Sequence, residues 1–314
     1  MNNYDTHVCI VSNEPLPNYI PAISKEIGRN KIVLLESPAM KSKADSLEFA
    51  FKSKQYSVVR FLIDDKGNLS LFRKQIQQVL ADHPSAALNA TGGMKIMSLI
   101  AHEVFRVADR PIFYSERDNR IIWLNPIDQP QQRVPGVLSI EDYFAAFGQP
   151  LLRLNHKPLE SDGGEIMLTK LYTIPKAEQG DHNRIGERFE SLVFRAAKNA
   201  LNQLKVAGVQ DIAWGVKTGG ETPDEFDVVI VRNNIMYLIE CKNANSADGF
   251  NNFINKLDAL KRKRGLTARA AIITTTHISK HGTNAKRAED SNIKLWDDTD
   301  LPDLTEKIKM WLYV

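Results

Sequence analysis

Cysteine is scarce in this sequence: Cys9 and Cys241 are the only 2, each inside an apolar run. The disulfide framework that staples small secreted domains is therefore not available, and two separate buried thiols in a reducing compartment are expected. No apolar run approaches the roughly 20 residues that a membrane helix needs. The opening stretch, MNNYDTHVCIVSNEP, has no basic segment ahead of a long apolar one. A secretory signal is not expected, and a cytoplasmic location is. An excess of one charge is also missing, since 41 Lys and Arg stand against 38 Asp and Glu, a formal +3. That balance does not argue for a nucleic-acid partner, nor does it exclude a locally basic groove. Internal repeats and low-complexity tracts are absent.

What is present suits a soluble α/β protein. The 314 residues are 43% hydrophobic and 25% charged, enough chain for two domains that each bury a core. In the first half, residues 7–12, 31–36, 57–63 and 86–90 read as strands. They alternate with helical patterns over 19–27, 44–54, 69–83 and 94–108. Strands regularly interleaved with helices imply a parallel sheet covered on both faces, a Rossmann-like domain. Residues 111–124 read as a hairpin with Asp118 and Asn119 near its turn.

From 125 to 180 the pattern dissolves among Pro126, Pro130, Pro135, Pro150, Pro158, Gly163, Gly164 and Pro175, with a short helix over 140–147. The expected division is a first domain over 1–145, a connector over 146–180 and a second domain over 181–314. The second is a smaller α/β unit, with helices over 183–204 and 251–264 and strands over 211–216, 225–232, 235–242 and 270–275.

The segment EFDVVIVRNNIMYLIECK carries the chemistry. Asn233 and Asn234 suit a two-residue turn, because asparagine tolerates the left-handed conformation. Arg232 then pairs with Ile235, and counting outward sets Asp227 directly opposite Glu240. Lys242 shares their face, while Val228, Ile230, Ile235, Tyr237, Ile239 and Cys241 fill the other as core. Two opposed carboxylates on a buried sheet repel and resist ionisation, and a divalent cation between them removes that penalty. An all-oxygen site with a substrate phosphate suits Mg²⁺ or Mn²⁺. Such an ion polarises a scissile phosphate and activates water. Lys242 is placed to orient that water or to stabilise developing negative charge. Glu190 and Glu187, on the preceding helix, are candidates to complete the shell. The simpler alternative is a surface hairpin with an incidental Glu240–Lys242 ion pair, and the opposed aspartate and the acidic helix weigh against it.

These residues resemble the PD-(D/E)xK nuclease superfamily over residues 184–276. Asp227 matches its first acid, Glu240-Cys241-Lys242 its E-x-K, and Glu190 the acid on the preceding helix. The resemblance implies a restriction-endonuclease-like fold with metal ligation by Asp227, Glu240 and the main-chain carbonyl of Cys241. Where the family has proline before the first acid this chain has Phe226, with Pro223 slightly upstream.

A second site is indicated by SAALNATGGMKIM, which reads as strand, glycine turn and helix start. Thr91, Gly92 and Gly93 would present backbone N–H groups at a helix N-terminus, with Lys95 adding charge. An ordinary glycine turn is the alternative, since the pattern is neither a dinucleotide fingerprint nor a Walker loop. In context it resembles the CARF domain (CRISPR-associated Rossmann fold), in which Ser12 and Asn13 after the first strand would add ligand contacts. Both domains together resemble the CARF-nuclease effectors of type III CRISPR systems. That resemblance implies a homodimer that binds a cyclic oligoadenylate, the cyclic tetra-adenylate suiting a two-fold axis, and a nuclease for DNA or RNA gated by it.

Other residues are expected to be ordinary. Lys261, Arg262, Lys263 and Arg264 read as a solvated helix end, with phosphate tracking aided by Lys256 as the alternative. Lys41 and Lys43 are equally a solvated loop or ligand contacts. His182, His277 and His281 read as loop residues without zinc spacing, Ser115 and Ser139 lack a nucleophile's surroundings, and Trp296 and Trp311 read as core anchors. Two further functions stand beside the gated nuclease. One is a restriction-like endonuclease indifferent to cyclic nucleotides; the other is a non-catalytic nucleotide-sensing regulator that binds nucleic acid.

Overall fold

A computed structural model describes residues 4–63, 67–158, 182–204, 208–220, 223–243, 249–279 and 281–313. The chain divides into two units, Met1–Gln149 and Pro150–Val314.

The first unit runs β1 (Thr6–Ile10), α1 (Leu16–Ile23), β2 (Lys31–Glu36), α2 (Lys41–Ser53), β3 (Ser57–Leu62), α3 (Leu69–Asp82), β4 (Ala86–Asn89) and α4 (Lys95–Val107). It closes with β5 (Ile112–Ser115), β6 (Arg120–Asn125), β7 (Gln132–Arg133) and α5 (Ile140–Ala146). The sheet order is β3-β2-β1-β4-β5-β6-β7. Strands β3 to β5 are parallel, and β6 and β7 return antiparallel. The apolar runs of β1, β2 and β4 are buried on both faces, as a doubly covered parallel sheet requires. One face packs on Phe72, Ile76 and Val79 of α3 and on Ala101, Val104 and Phe105 of α4. Chain order reverses between β1 and β4, which opens a crevice beyond their carboxyl ends.

The second unit contains β8 (Leu151–Asn155), α6 (His182–Gln203), β9 (Gln210–Thr218), β10 (Glu225–Arg232), β11 (Ile235–Lys242) and α7 (Phe250–Arg262). It ends with β12 (Arg269–Thr274), α8 (Thr283–Asp290), β13 (Ile293–Trp296) and α9 (Leu304–Tyr313). Its sheet order is β13-β12-β11-β10-β9-β8, antiparallel from β8 to β11 and parallel from β11 to β13. Val228, Ile230, Tyr237, Ile239 and Cys241 meet α6 and α9 in one core, with Ile235 packed against it. Trp296 and Trp311 belong to the same core and meet edge to face, 5.5 Å between centroids.

Several expectations need correction. The first helix starts at Leu16, earlier than expected, because Pro17 fits the first helical turn, where its missing N–H costs nothing. Residues 151–155 are an edge strand of the second sheet, within the stretch read as connector; residues 159–180 of that stretch lie outside the described residues. Lys41 opens helix α2 and pairs with Asp45 at 3.0 Å. Lys43 is in the same helix, so neither lysine is in a loop. Similarly, His182 begins helix α6. The 261–264 cluster is not simply a solvated helix end. Arg264 is 1% exposed and donates to Asp224 at 3.0 Å, with its guanidinium 5.1 Å from the Phe226 ring. Lys261 is nearly buried, between Asp258 and the Ser291 carbonyl.

Candidate active site

The hairpin β10–β11 sets the geometry. Asn233 and Asn234 take φ of 51° and 62°, left-handed at both turn positions. A turn of that kind matches the right-handed strand twist and fixes the pairing. Arg232 faces Ile235, Val229 faces Leu238, and the ladder ends at Val228 with Ile239. One step further the same register sets Asp227 across from Glu240. The Cys241 N–H donates to Asp227 Oδ2 at 2.6 Å, which fixes that carboxylate at the strand end. Glu240 is 4% exposed, and Lys242 Nζ lies 2.6 Å from its Oε1. The Lys242 ammonium also lies 4.8 Å from the centroid of the Phe253 ring on α7. The Cys241 side chain points the other way, into the core, so its main chain alone reaches the site.

The electrostatics show how the acids gather. Burial raises the Asp227 pKa well above the usual carboxylate range, and the charges of Glu240 and Glu190 push it further. Glu190, half-buried on α6, is raised to about 7, first by burial and then by Glu225, with Glu240 adding to it. Burial acts to lower the Lys242 pKa, but the Glu240 and Asp227 charges outweigh it and hold the ammonium above its ordinary value. Burial raises the Cys241 thiol well above its ordinary pKa, so it is a poor nucleophile here. Burial and mutual repulsion thus disfavour the ionised forms of Asp227 and Glu190 beside Glu240. Their oxygens and the adjacent main chain form a hard donor set that fits Mg²⁺ or Mn²⁺.

Glu187 is exposed and contributes through its charge on Glu190. Glu225 was not singled out from the sequence. It pairs with Lys217 at 3.1 Å and Arg153 at 3.4 Å while pressing on Glu190. Its place two residues before Asp227, on the same strand face, is the signal that could have found it. Lys256 is exposed. His277 lies 3.0 Å from Asp298 and 3.3 Å from Asp297.

In the first unit a cavity of about 240 Å³ lies in the crevice beyond β1 and β4. Ser12, Asn13, Ser37, Met40, Gly93 and Met94 help to line it. Thr91, Gly92 and Lys95 are not among its lining residues. The Thr91 hydroxyl donates to Asn89 Oδ1 at 2.6 Å and accepts from the Ser115 N–H at 2.8 Å, which ties β4 to β5. Gly92 permits close packing, since a Cβ there would meet the Ile10 carbonyl oxygen at 2.0 Å. Gly93 has φ of +78°, and a Cβ there would meet the Ile10 side chain at 2.3 Å. Lys95 is exposed at the start of α4. Ser139 is the N-cap of α5, its hydroxyl accepting from the Asp142 N–H.

The first unit is a Rossmann-like fold, and the second is a mixed sheet whose hairpin bears the acid, acid and lysine set. Residues 6–143 match the family model of the Card1 CARF domain, and residues 182–314 match that of the Card1-like endonuclease domain. The chain belongs to the family that joins a CARF domain to a PD-(D/E)xK endonuclease domain. Protein VC1899 from Vibrio cholerae has a similar structure, with a TM-score of 0.82 and 21% identity over 98% of each chain. Can2 from Sulfobacillus thermosulfidooxidans, solved in complex with cyclic tetra-adenylate, gives a TM-score of 0.78 at 21% identity over 99% of this chain and 100% of that one. A type III CRISPR defence DNA nuclease activated by cyclic oligoadenylate gives 0.66 at 17% identity, covering 92% of this chain and 47% of that one. A search of curated proteins gave no match.

Proposed function

We propose that this chain is a metal-dependent endonuclease switched on by a cyclic oligoadenylate, serving type III CRISPR defence. The observation that carries the proposal is the convergence of Asp227, Glu240, Glu190 and Lys242 at the open end of one hairpin. Asp227, Glu240 and the Cys241 carbonyl would hold Mn²⁺ or Mg²⁺, with Glu190 completing the shell. When bound, the ion supplies Lewis-acid polarisation of the scissile phosphate and a more acidic water. Lys242 orients the attacking water or stabilises charge on the phosphoryl oxygens, and its ammonium is held charged for that purpose.

The crevice of the first unit would hold the activator. Ser12, Asn13 and Gly93 line its cavity. Thr91 and Gly92 shape the loop, and Lys95 would reach phosphate from the helix start. A homodimer would offer two equivalent crevices to a ring of four adenylates, whose symmetry contains a two-fold. A near-complete switch requires the ligand to favour the active arrangement by about 5.5 kcal/mol.

The test is cleavage of single-stranded DNA, plasmid and RNA with Mn²⁺ or Mg²⁺, with and without cyclic tetra-adenylate. Cleavage that needs the ligand supports the whole proposal and names the substrate. Cleavage without it keeps the endonuclease and rejects gating by this ring.

A further inference from the structure

Lys242 is the cation that the reaction uses, and Glu240 alone is an unsuitable anchor for it. The Glu240 oxygen that meets Nζ at 2.6 Å belongs to a carboxylate that would also serve the metal. A flexible four-carbon side chain with one shared partner would wander, at a cost to the geometry that proximity effects need. Phe253 supplies a second, neutral hold. Its ring centroid lies 4.8 Å from Nζ, inside the range where a ring face attracts an ammonium.

The ring is itself fixed. Phe250, 1% exposed, meets it edge to face at 6.0 Å, and Ile254, Leu257 and Leu260 seat α7 in the core. Just beyond the other end of α7, Arg264 grips Asp224, three residues before Asp227. Contacts at and just beyond the two ends of α7 thus reach Lys242 on β11 and Asp224 immediately before β10.

We infer that Phe253 is a positioning residue, whose ring face holds the Lys242 ammonium in place for the scissile phosphate independently of Glu240. This rests on the nuclease reading of Lys242. A leucine at 253 keeps apolar bulk and removes the ring face, whereas tryptophan keeps an aromatic face.

The experiment compares wild type, F253L, F253W, K242A and the double variant K242A/F253L in full-length protein with Mn²⁺ and cyclic tetra-adenylate. F253L should lower kcat about tenfold with KM unchanged, and F253W should recover to within about twofold. In the K242A background F253L should cost nothing further, because the two side chains act as one unit. An unchanged rate in F253L, or an equal loss with and without Lys242, overturns the inference. A second readout is independent of cleavage. In protein carrying ¹³Cε-lysine, the Lys242 methylene signal should carry the ring-current shift of Phe253 and lose it in F253L. A signal that does not move overturns the inference even if the chain cleaves nucleic acid. Absence of cleavage by wild type rejects the nuclease reading and leaves the ring contact to be judged by the spectrum.

Discussion

At the scale of single residues, the site is a problem of crowded negative charge. Glu190 has a folded pKa of about 7 against an ordinary 4.5, so its ionised form is disfavoured in the fold. The stability it contributes is fully present below about pH 4.5 and is lost as pH rises through about 7. Carboxylates with lowered pKa values, such as Asp5 and Asp45, titrate below that window and act with the opposite sign. In chelator, the wild-type melting temperature should therefore fall between pH 4.5 and 7 relative to E190Q. Parallel curves for the two proteins would contradict the assignment. Lys242 tests the catalytic side, since removal of one preorganised charge-stabilising donor typically costs about 10²–10³ in kcat. K242A should show that loss in single-turnover cleavage, with a much smaller change in KM.

At the scale of elements, the hairpin was legible because its information is local. Two adjacent asparagines set the turn, the turn sets the register, and the period of 2 then assigns each face. The parallel first sheet was legible for the same reason, its apolar runs being punctuated by helices. What was missed depends on distant partners. Strand β8 is defined by pairing Leu151 with Thr218, and nothing in LLRLN announces an edge strand. Helix α8, TNAKRAED, buries Ala288 alone among its residues, so it carries little apolar periodicity. Arg264 follows a basic helix end, and its burial depends on Asp224 lying 40 positions earlier in the chain. Removing the buried partner leaves Asp224 with the exposed Lys263 at 3.5 Å, so R264A should cost about 3 kcal/mol in urea unfolding. A loss below about 1 kcal/mol would mean that Asp224 does not depend on that partner.

At the scale of the whole molecule, the family assignment covers both units, and under the proposed function the first binds the activator while the second cuts. Within the second unit the metal and the fold are linked. A cation that relieves repulsion among Asp227, Glu240 and Glu190 must stabilise the folded state by the same free energy. Mn²⁺ at about 100 times its Kd should add about 2.7 kcal/mol, or about 5–10 °C in melting temperature. E240Q should lose most of that shift. The most direct test of the account is the initial rate of Mn²⁺-dependent cleavage, with cyclic tetra-adenylate, by wild type and E240Q side by side. Loss of cleavage in folded E240Q is the predicted result. Cleavage by E240Q at the wild-type rate would contradict the account and place the chemistry elsewhere in the chain.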